Sequence, residues 1–433
     1  MRRFIWTDLD NDAREVALAR PQAISDEALL SSVRDILADV RKNGDEALLR
    51  LTEKYDGVRP TALEIPASEL EAAWTALPAT DKSVIERARR NIKKFHKAQR
   101  PKSIEVETEP GVICRREVRA IETAGLYVPG GTAPLVSTLL MLAVPAKVAG
   151  VHKRIVVTPP GKDGTVNPII LAAAYRCKVT QLFCVGGAQG IGALAYGTET
   201  IPKCDKIFGP GNAWVAAAKS LAAQEMGGPA IDMPAGPSEA MVLADAGTDS
   251  AFAASDLLSQ AEHDTVAQVV CIASSKEVAD RIDAKISQQL KTLPRADISR
   301  QSLKHGRMII AGERADIIDI INRYAPEHLI VQLQNPETYV GAIRNAGSIF
   351  LGPWTPESVG DYASGTNHTL PTFGAARAYS GVTLESFIKY VSIQQLTKNG
   401  LKRLGPVVER LAEMEGLDAH KRAVSLRLEA LQS

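Results

Sequence analysis

Apolar residues recur along this chain in two rhythms, and the change between them divides it. Over the first hundred residues the rhythm is helical. In "SDEALLSSVRDILADV", Leu29, Leu30, Val33, Ile36, Leu37 and Val40 fall at three- and four-residue spacing, on one face of a helix. Ser25 is a candidate cap at its start, and Gly44 lies just past its end. Ser68 and Glu71 in "SELEAAW" have capping-box spacing, and Pro101 forbids continuation of the helix before it. From residue 124 the rhythm changes. Short apolar runs ("AGLYV", "RIVVTPP", "TQLFCVGG", "CDKIFGP", "AIDMP") alternate with helix-length segments rich in Ala and Leu. The alternation resumes over 239–352 with "EAMVLAD", "VAQVVCIAS", "MIIAG", "HLIVQL" and "SIFLG". Strand–helix alternation predicts parallel sheets with helices on both faces. Two such blocks predict an α/β fold of two Rossmann-like, doubly wound lobes with a cleft between them. An N-terminal helical segment precedes them. A C-terminal helical arm, from about residue 382 and broken at Gly416, follows. Residues 353–373, "PWTPESVGDYASGTNHTLPTF", read as a loop, and loops this long in compact chains are functional or mobile.

Bulk properties narrow the class. A chain of 433 residues is too long for one core, so several domains are expected. Its 45% hydrophobic and 23% charged content is ordinary for a soluble globular protein. The net charge of +1 leaves no electrostatic footprint for nucleic acid or an acidic membrane. The basic run "ERARRNIKKFHKAQRPK" spreads its charges round a helix and reads as a solvated face. Five cysteines without a CxxC pair indicate reduced thiols, and so a cytoplasmic protein. "MRRFIWTDLDND" meets acids before any long apolar stretch and does not read as a signal peptide; no apolar run reaches 18 residues.

Three glycine-rich turns, "YVPGGTAP", "VGGAQGIGA" and "FGPGNAWVAAAK", each follow an apolar strand and open a helix. Backbone N–H groups can meet phosphates there. None is the GxGxxG fingerprint, and glycine also serves tight turns for conformational reasons alone. Three of them on one sheet edge point to a cofactor cleft. Of seven histidines, His96 and His152 sit among basic residues and read as surface groups, and His305 reads as a turn residue. His263, His328, His368 and His420 stand near carboxylates or amides.

In "DLLSQAEHDTVAQVV" an apolar helix runs into Gln260, Glu262, His263 and Asp264. Polar helix ends ordinarily face water, and a histidine there suits the helix dipole. Gln260 and His263, three apart, also share a face and can hold one ion. Asp361 can reach inward from its glycine-rich loop or close an Asx-turn. The Glu327–His328 pair at a strand edge suits general acid/base work or a capped turn. His420 opens a final helix behind a natural cap, Asp418, where a solvated side chain is the ordinary reading. Two His, one Asp and one Gln form a mixed N/O set that suits Zn²⁺, with Mn²⁺ or Co²⁺ admissible. HExxH is absent.

Taken together, "DMPAGPSEAMVLAD", "DLLSQAEHD", "YAPEHLIVQ", "GPWTPESVGDYASGTNHTLPT" and "FGPGNAWV" resemble the histidinol dehydrogenase family, essentially end to end. The resemblance implies a zinc- and NAD-dependent homodimer that oxidises L-histidinol to L-histidine through bound L-histidinal. It implies one zinc per subunit on Gln260, His263, Asp361 and His420, with His420 donated by the other subunit. Glu327 and His328 would be the acid/base pair. Ser238 and Glu415 would contact substrate together with Gln260, His263, His328, Asp361 and His420, and His368 lies in the matching loop. Tyr127, Gln189 and Asn212 would line the NAD site. The implied organisation is a helical segment at 1–105, a metal-bearing lobe from 106–128 and 235–381, an NAD-side lobe at 129–234 and a dimerisation arm at 382–433. Trp214 stands where the family pattern has tyrosine, an aromatic exchange, and "EMEGLDAHKRA" is a shorter match. The nearest rival is a same-family dehydrogenase of another small alcohol, such as a sulfonated diol. A metal-dependent hydrolase on the same ligands would need no nicotinamide. A non-catalytic scaffold would be indifferent to Glu327→Gln.

Overall fold

The alternating region builds two wholly parallel sheets, the first joined at its edge by Arg2–Ile5, a strand from the N-terminal segment that was expected to be helical throughout. The first has six strands in the order Arg2–Ile5, Arg307–Ile310, Gln268–Ala273, Glu239–Ala244, His328–Gln332 and Ser348–Leu351. The second has five: Gln181–Cys184, Lys153–Thr158, Thr123–Tyr127, Lys206–Phe208 and Ala230–Ile231. The computed structural model describes residues 1–21, 27–130, 134–234 and 236–432. The proposed cap Ser25 and part of the "YVPGGTAP" turn lie outside the described residues.

Helices cover both faces of each sheet, which is why the strands read as unbroken apolar runs. Every residue of Glu239–Ala244 is buried. Side chains alternate across the strand, so Ala240, Val242 and Ala244 pack toward Leu257 and Ile282, and Met241 and Leu243 toward Ile317 and Ile320. On the second sheet, Val33, Ile36, Leu37 and Val40 pack against Ile191 and Leu194 of the helix Gly187–Tyr196, as their spacing requires. Ile85 and Ile92 close the opposite face.

Contacts group the chain into two units, residues 1–99 with 121–387 and residues 100–120 with 388–433. The second unit is an antiparallel sheet, Ile388–Leu396 beside Val112–Ala120 beside Ile104–Glu109, together with the helices Lys398–Met414 and Asp418–Glu429. Among the described residues no helix is long and apolar enough to cross a membrane.

Several local expectations change. Residues 106–128, expected in the metal-bearing lobe, lie elsewhere: 106–120 belong to the antiparallel sheet of the second unit, and 123–127 form the central strand of the five-stranded sheet. The C-terminal arm, expected helical from about residue 382, carries the nine-residue strand Ile388–Leu396 ahead of its helices, because Val112–Ala120, far upstream, supplies a hydrogen-bonding partner. The break at Gly416 is present, with φ +70° between the two helices. The helix from Glu27 ends at Gly44 as its spacing predicts: the backbone there leaves the helical region at φ +50°, and a second helical stretch runs on to Asp56. Ser68 lies inside the helix Ala67–Ala76, whose cap position is Pro66, so no capping box forms. His96 is buried, not superficial; it lies on the inward face with Ile85 and Ile92, and its Nδ1 meets the Ile92 carbonyl at 2.8 Å. His305 ends the helix Ala296–His305.

Candidate active site

Parallel pairing places His328, the first residue of its strand, opposite Ala240. Glu327 and His328 therefore stand at the N-terminal edge of the six-stranded sheet, beside the start of Glu239–Ala244. The helix Ser250–Ala261 returns antiparallel to that strand before Gln268–Ala273 begins. Its C-terminal end comes back to the same edge, which is how Gln260 and His263 arrive there. The short helix Glu357–Tyr362 carries Asp361.

One residue's backbone holds both members of the pair. Glu239 N–H donates to Glu327 Oε2 at 2.8 Å, and Glu239 O lies 3.1 Å from His328 Nδ1. A carbonyl only accepts, so Nδ1 carries a hydrogen and Nε2 is left facing Asp361 Oδ1 at 3.5 Å. Glu327 Oε2 and Glu357 Oε1 lie 3.6 and 3.7 Å from Nδ1. Burial pushes the Glu327 carboxyl up to about 8. Burial acts to lower His328, but the carboxylates of Glu357, Glu327 and Asp361 outweigh it and hold the imidazole well above its usual value. Burial raises Glu357 far above the usual carboxylate range. Asp361 is held low: burial opposes this, and His328 prevails.

Around Asp361 stand His263 and His368, whose charges act on it. Burial lowers both imidazoles, His368 to about 4. His263 keeps a solvent-exposed side while protein surrounds the rest. Gln260 Oε1, Glu357 Oε2 and His368 Nε2 are buried without a hydrogen-bond partner. Orphaned buried acceptors are costly, and acceptors gathered beside a carboxylate fit a cation. Ligand atoms of His328, Glu357 and Asp361 lie within 4.8 Å of one another, and His263 is not in that group. Ser238 is half-buried just before Glu239. Glu415 and His420 are exposed at the junction of the second unit's two helices.

Sequence reasoning missed Glu357, Glu239, Asp256 and Arg20. Glu357 and Asp361 are four apart on one helix, a spacing that was legible had "PESVGDY" been read as a helix and not a loop. Asp256 accepts from Gln332 Nε2 and the Glu357 N–H behind the cluster. Arg20 clamps the Glu239 carboxylate, its Nη2 at 2.9 Å from Oε2 and 2.7 Å from Tyr324 O.

Tyr127, Gln189 and Asn212 converge at the C-terminal ends of the five-stranded sheet, where open α/β sheets bind ligands. They line a cavity of about 770 Å³ with Tyr55, Asp56, Lys162 and Trp214. The Tyr127 hydroxyl lies 3.2 Å from Gly187 N, and burial raises its pKa to about 12. Asn212 caps the helix Ala213–Gln224 through Val215 N. At Gly209, φ is +125° and a Cβ would sit 2.2 Å from Tyr127 O, so only glycine lets the "GPGN" turn approach this strand. A buried Lys219–Asp232 ion pair locks that turn: Lys219 Nζ donates to Gly209 O at 2.9 Å, and Gly209 N to Asp232 Oδ2 at 2.8 Å.

A parallel α/β architecture with a buried carboxylate–imidazole centre and a separate glycine-framed cavity has the make-up of an α/β enzyme. The family model for histidinol dehydrogenase matches residues 19–428. The histidinol dehydrogenase of Photobacterium profundum is 49% identical over 432 residues, covering 100% of this chain and 97% of the relative. That of Vibrio cholerae serotype O1 is also 49% identical, over 100% of this chain and 99% of its own. The crystal structure of histidinol dehydrogenase from Elizabethkingia anophelis superposes with a TM-score of 0.94 at 44% identity, covering 100% of this chain and 99% of that one. The chain belongs to the histidinol dehydrogenase family, a family of oxidoreductases.

Proposed function

We propose that the protein catalyses the NAD-dependent, four-electron oxidation of L-histidinol to L-histidine, with L-histidinal held as a bound intermediate, at the end of histidine biosynthesis in the cytoplasm. The observation that carries this reading is the buried Glu327–His328 pair, held by a single backbone residue beside orphaned acceptors around Asp361. Gln260, His263, Asp361 and His420 of the partner subunit would hold one zinc per site, within a homodimer that shares its active sites. When bound, zinc supplies a template for the substrate's imidazole and amine nitrogens, and NAD supplies the hydride acceptor.

The chain's own residues supply the proton chemistry. His328, with its tautomer set by the Glu239 carbonyl, takes the hydroxyl proton at Nε2. When Asp361 is engaged elsewhere, Nε2 loses a counter-charge and gives up its proton nearer neutral pH. Glu327, whose carboxyl titrates near neutrality, draws a proton from the water that hydrates the aldehyde. Ser238 and Glu415 of the partner subunit would orient the amino alcohol. Tyr127, Gln189 and Asn212 would line the dinucleotide cavity.

The test is NADH formation from L-histidinol, with zinc present and then stripped. Two NADH per histidinol, lost on chelation and restored by zinc, supports the reading. No NADH from folded, metal-loaded protein overturns it and moves the assignment to another small alcohol.

A further inference from the structure

We propose that Asp56 selects the dinucleotide: its carboxylate accepts the hydroxyls of the adenosine ribose and excludes a cofactor phosphorylated at the 2′ position. The inference rests on reading the cavity beside the five-stranded sheet as the NAD site.

The cavity has unlike parts. The N-terminus of the helix Gly187–Tyr196 and the Asn212-capped N-terminus of Ala213–Gln224 open into it, and both favour the negative pyrophosphate. Tyr55 and Trp214, with ring centroids 6.5 Å apart, give it an aromatic wall suited to a base. Asp56 follows Tyr55 directly and lines the same space. No residue of the Glu327–His328 cluster lines it, so the cavity receives the end of the dinucleotide remote from the reaction.

Nothing in the fold accounts for a carboxylate at this position. Asp56 is the last residue of its helix, where the macrodipole disfavours negative charge. It is half-buried, and burial raises its pKa. Among the described residues its carboxylate has no hydrogen-bond or ion-pair partner. A group that meets these costs without a protein partner is suited to ligand hydroxyls. Accepting from a ribose diol while repelling a 2′-phosphate is what a carboxylate does in dinucleotide folds. Lys162 lines the same cavity and carries the opposite charge. If a 2′-phosphate were the intended ligand, Lys162 would hold it and the preference would reverse.

The experiment is calorimetric titration of the zinc-loaded, full-length protein with NAD⁺ and NADP⁺, for the parent and for Asp56→Asn and Asp56→Ser. The parent should bind NAD⁺ the more tightly, and added salt should narrow the gap by screening the repulsion. Both variants should weaken NAD⁺ and shrink the NAD⁺/NADP⁺ ratio by roughly ten- to a hundredfold, as loss of a charged hydrogen bond implies. An unchanged ratio in variants that still bind NAD⁺, or a salt-insensitive gap in the parent, overturns the role of Asp56 and leaves the cavity assignment standing. Binding of neither dinucleotide by the parent overturns the cavity assignment and, with it, this inference.

Discussion

Glu239 and Glu327 are joined at 2.8 Å by a hydrogen bond from the backbone of one to the carboxylate of the other, and the next atoms along the Glu239 backbone receive His328. The Glu239 side chain is itself fixed, by Arg20 and by Phe373 N at 3.0 Å. The acid/base pair is thus anchored through one residue to the N-terminal segment and to the loop after His368.

That anchorage sets the first prediction. Arg20→Ala leaves the Glu239 carboxylate buried and uncompensated, and should cost about 3–5 kcal/mol of stability by denaturant unfolding. Arg20→Lys keeps the charge but loses the forked geometry, and should fall between the two.

Glu327→Gln retains an acceptor for the Glu239 N–H but cannot ionise. Turnover should fall by about 10²–10⁴-fold with little change in KM. Because Glu327 is assigned to water activation, rapid-quench analysis should find the variant stalled at the aldehyde. Equal loss at both oxidation steps would count against that division of roles.

Asp256 makes a stability prediction with a definite sign. Burial pushes its carboxyl up to about 6 from a usual 3.8. Its contribution is therefore full below about pH 4 and is lost as pH rises through about 6. Asp256→Asn should be the more stable protein at pH 8, by up to about 3 kcal/mol, and show no advantage at pH 4. Melting curves at the two pH values decide it.

His96 runs the other way. Burial depresses its pKa below 6.5, so its contribution is present above that pH and is lost as pH falls toward the folded value. His96→Phe, which also removes the orphaned Nε2, should flatten the loss of stability between pH 7 and pH 5 in melting experiments.

A shared site predicts complementation. Inactive Glu327→Gln chains mixed with inactive His420→Asn chains should recover part of the activity in hybrid dimers. No recovery after verified subunit exchange would exclude a partner-donated His420.

Sequence and tertiary structure divide these results along physical lines. Local periodicity is written in the chain, so the two parallel sheets, the buried face of Val33, Ile36, Leu37 and Val40, and the break at Gly416 could all be read from it. Gln260 lies in the last turn of Ser250–Ala261, but His263 falls past the cap Glu262, so helical spacing alone does not set where its side chain stands. Quantities that depend on distant partners could not be read. Ile388–Leu396 is a strand because Val112–Ala120, remote in the chain, hydrogen-bonds to it. His96 looks superficial among basic neighbours, yet its helix turns it inward. Glu357 enters the cluster only because its six-residue helix packs beside His328. The raised pKa of Glu327 is likewise a tertiary property, since burial produces it and no residue carries its burial in its own sequence.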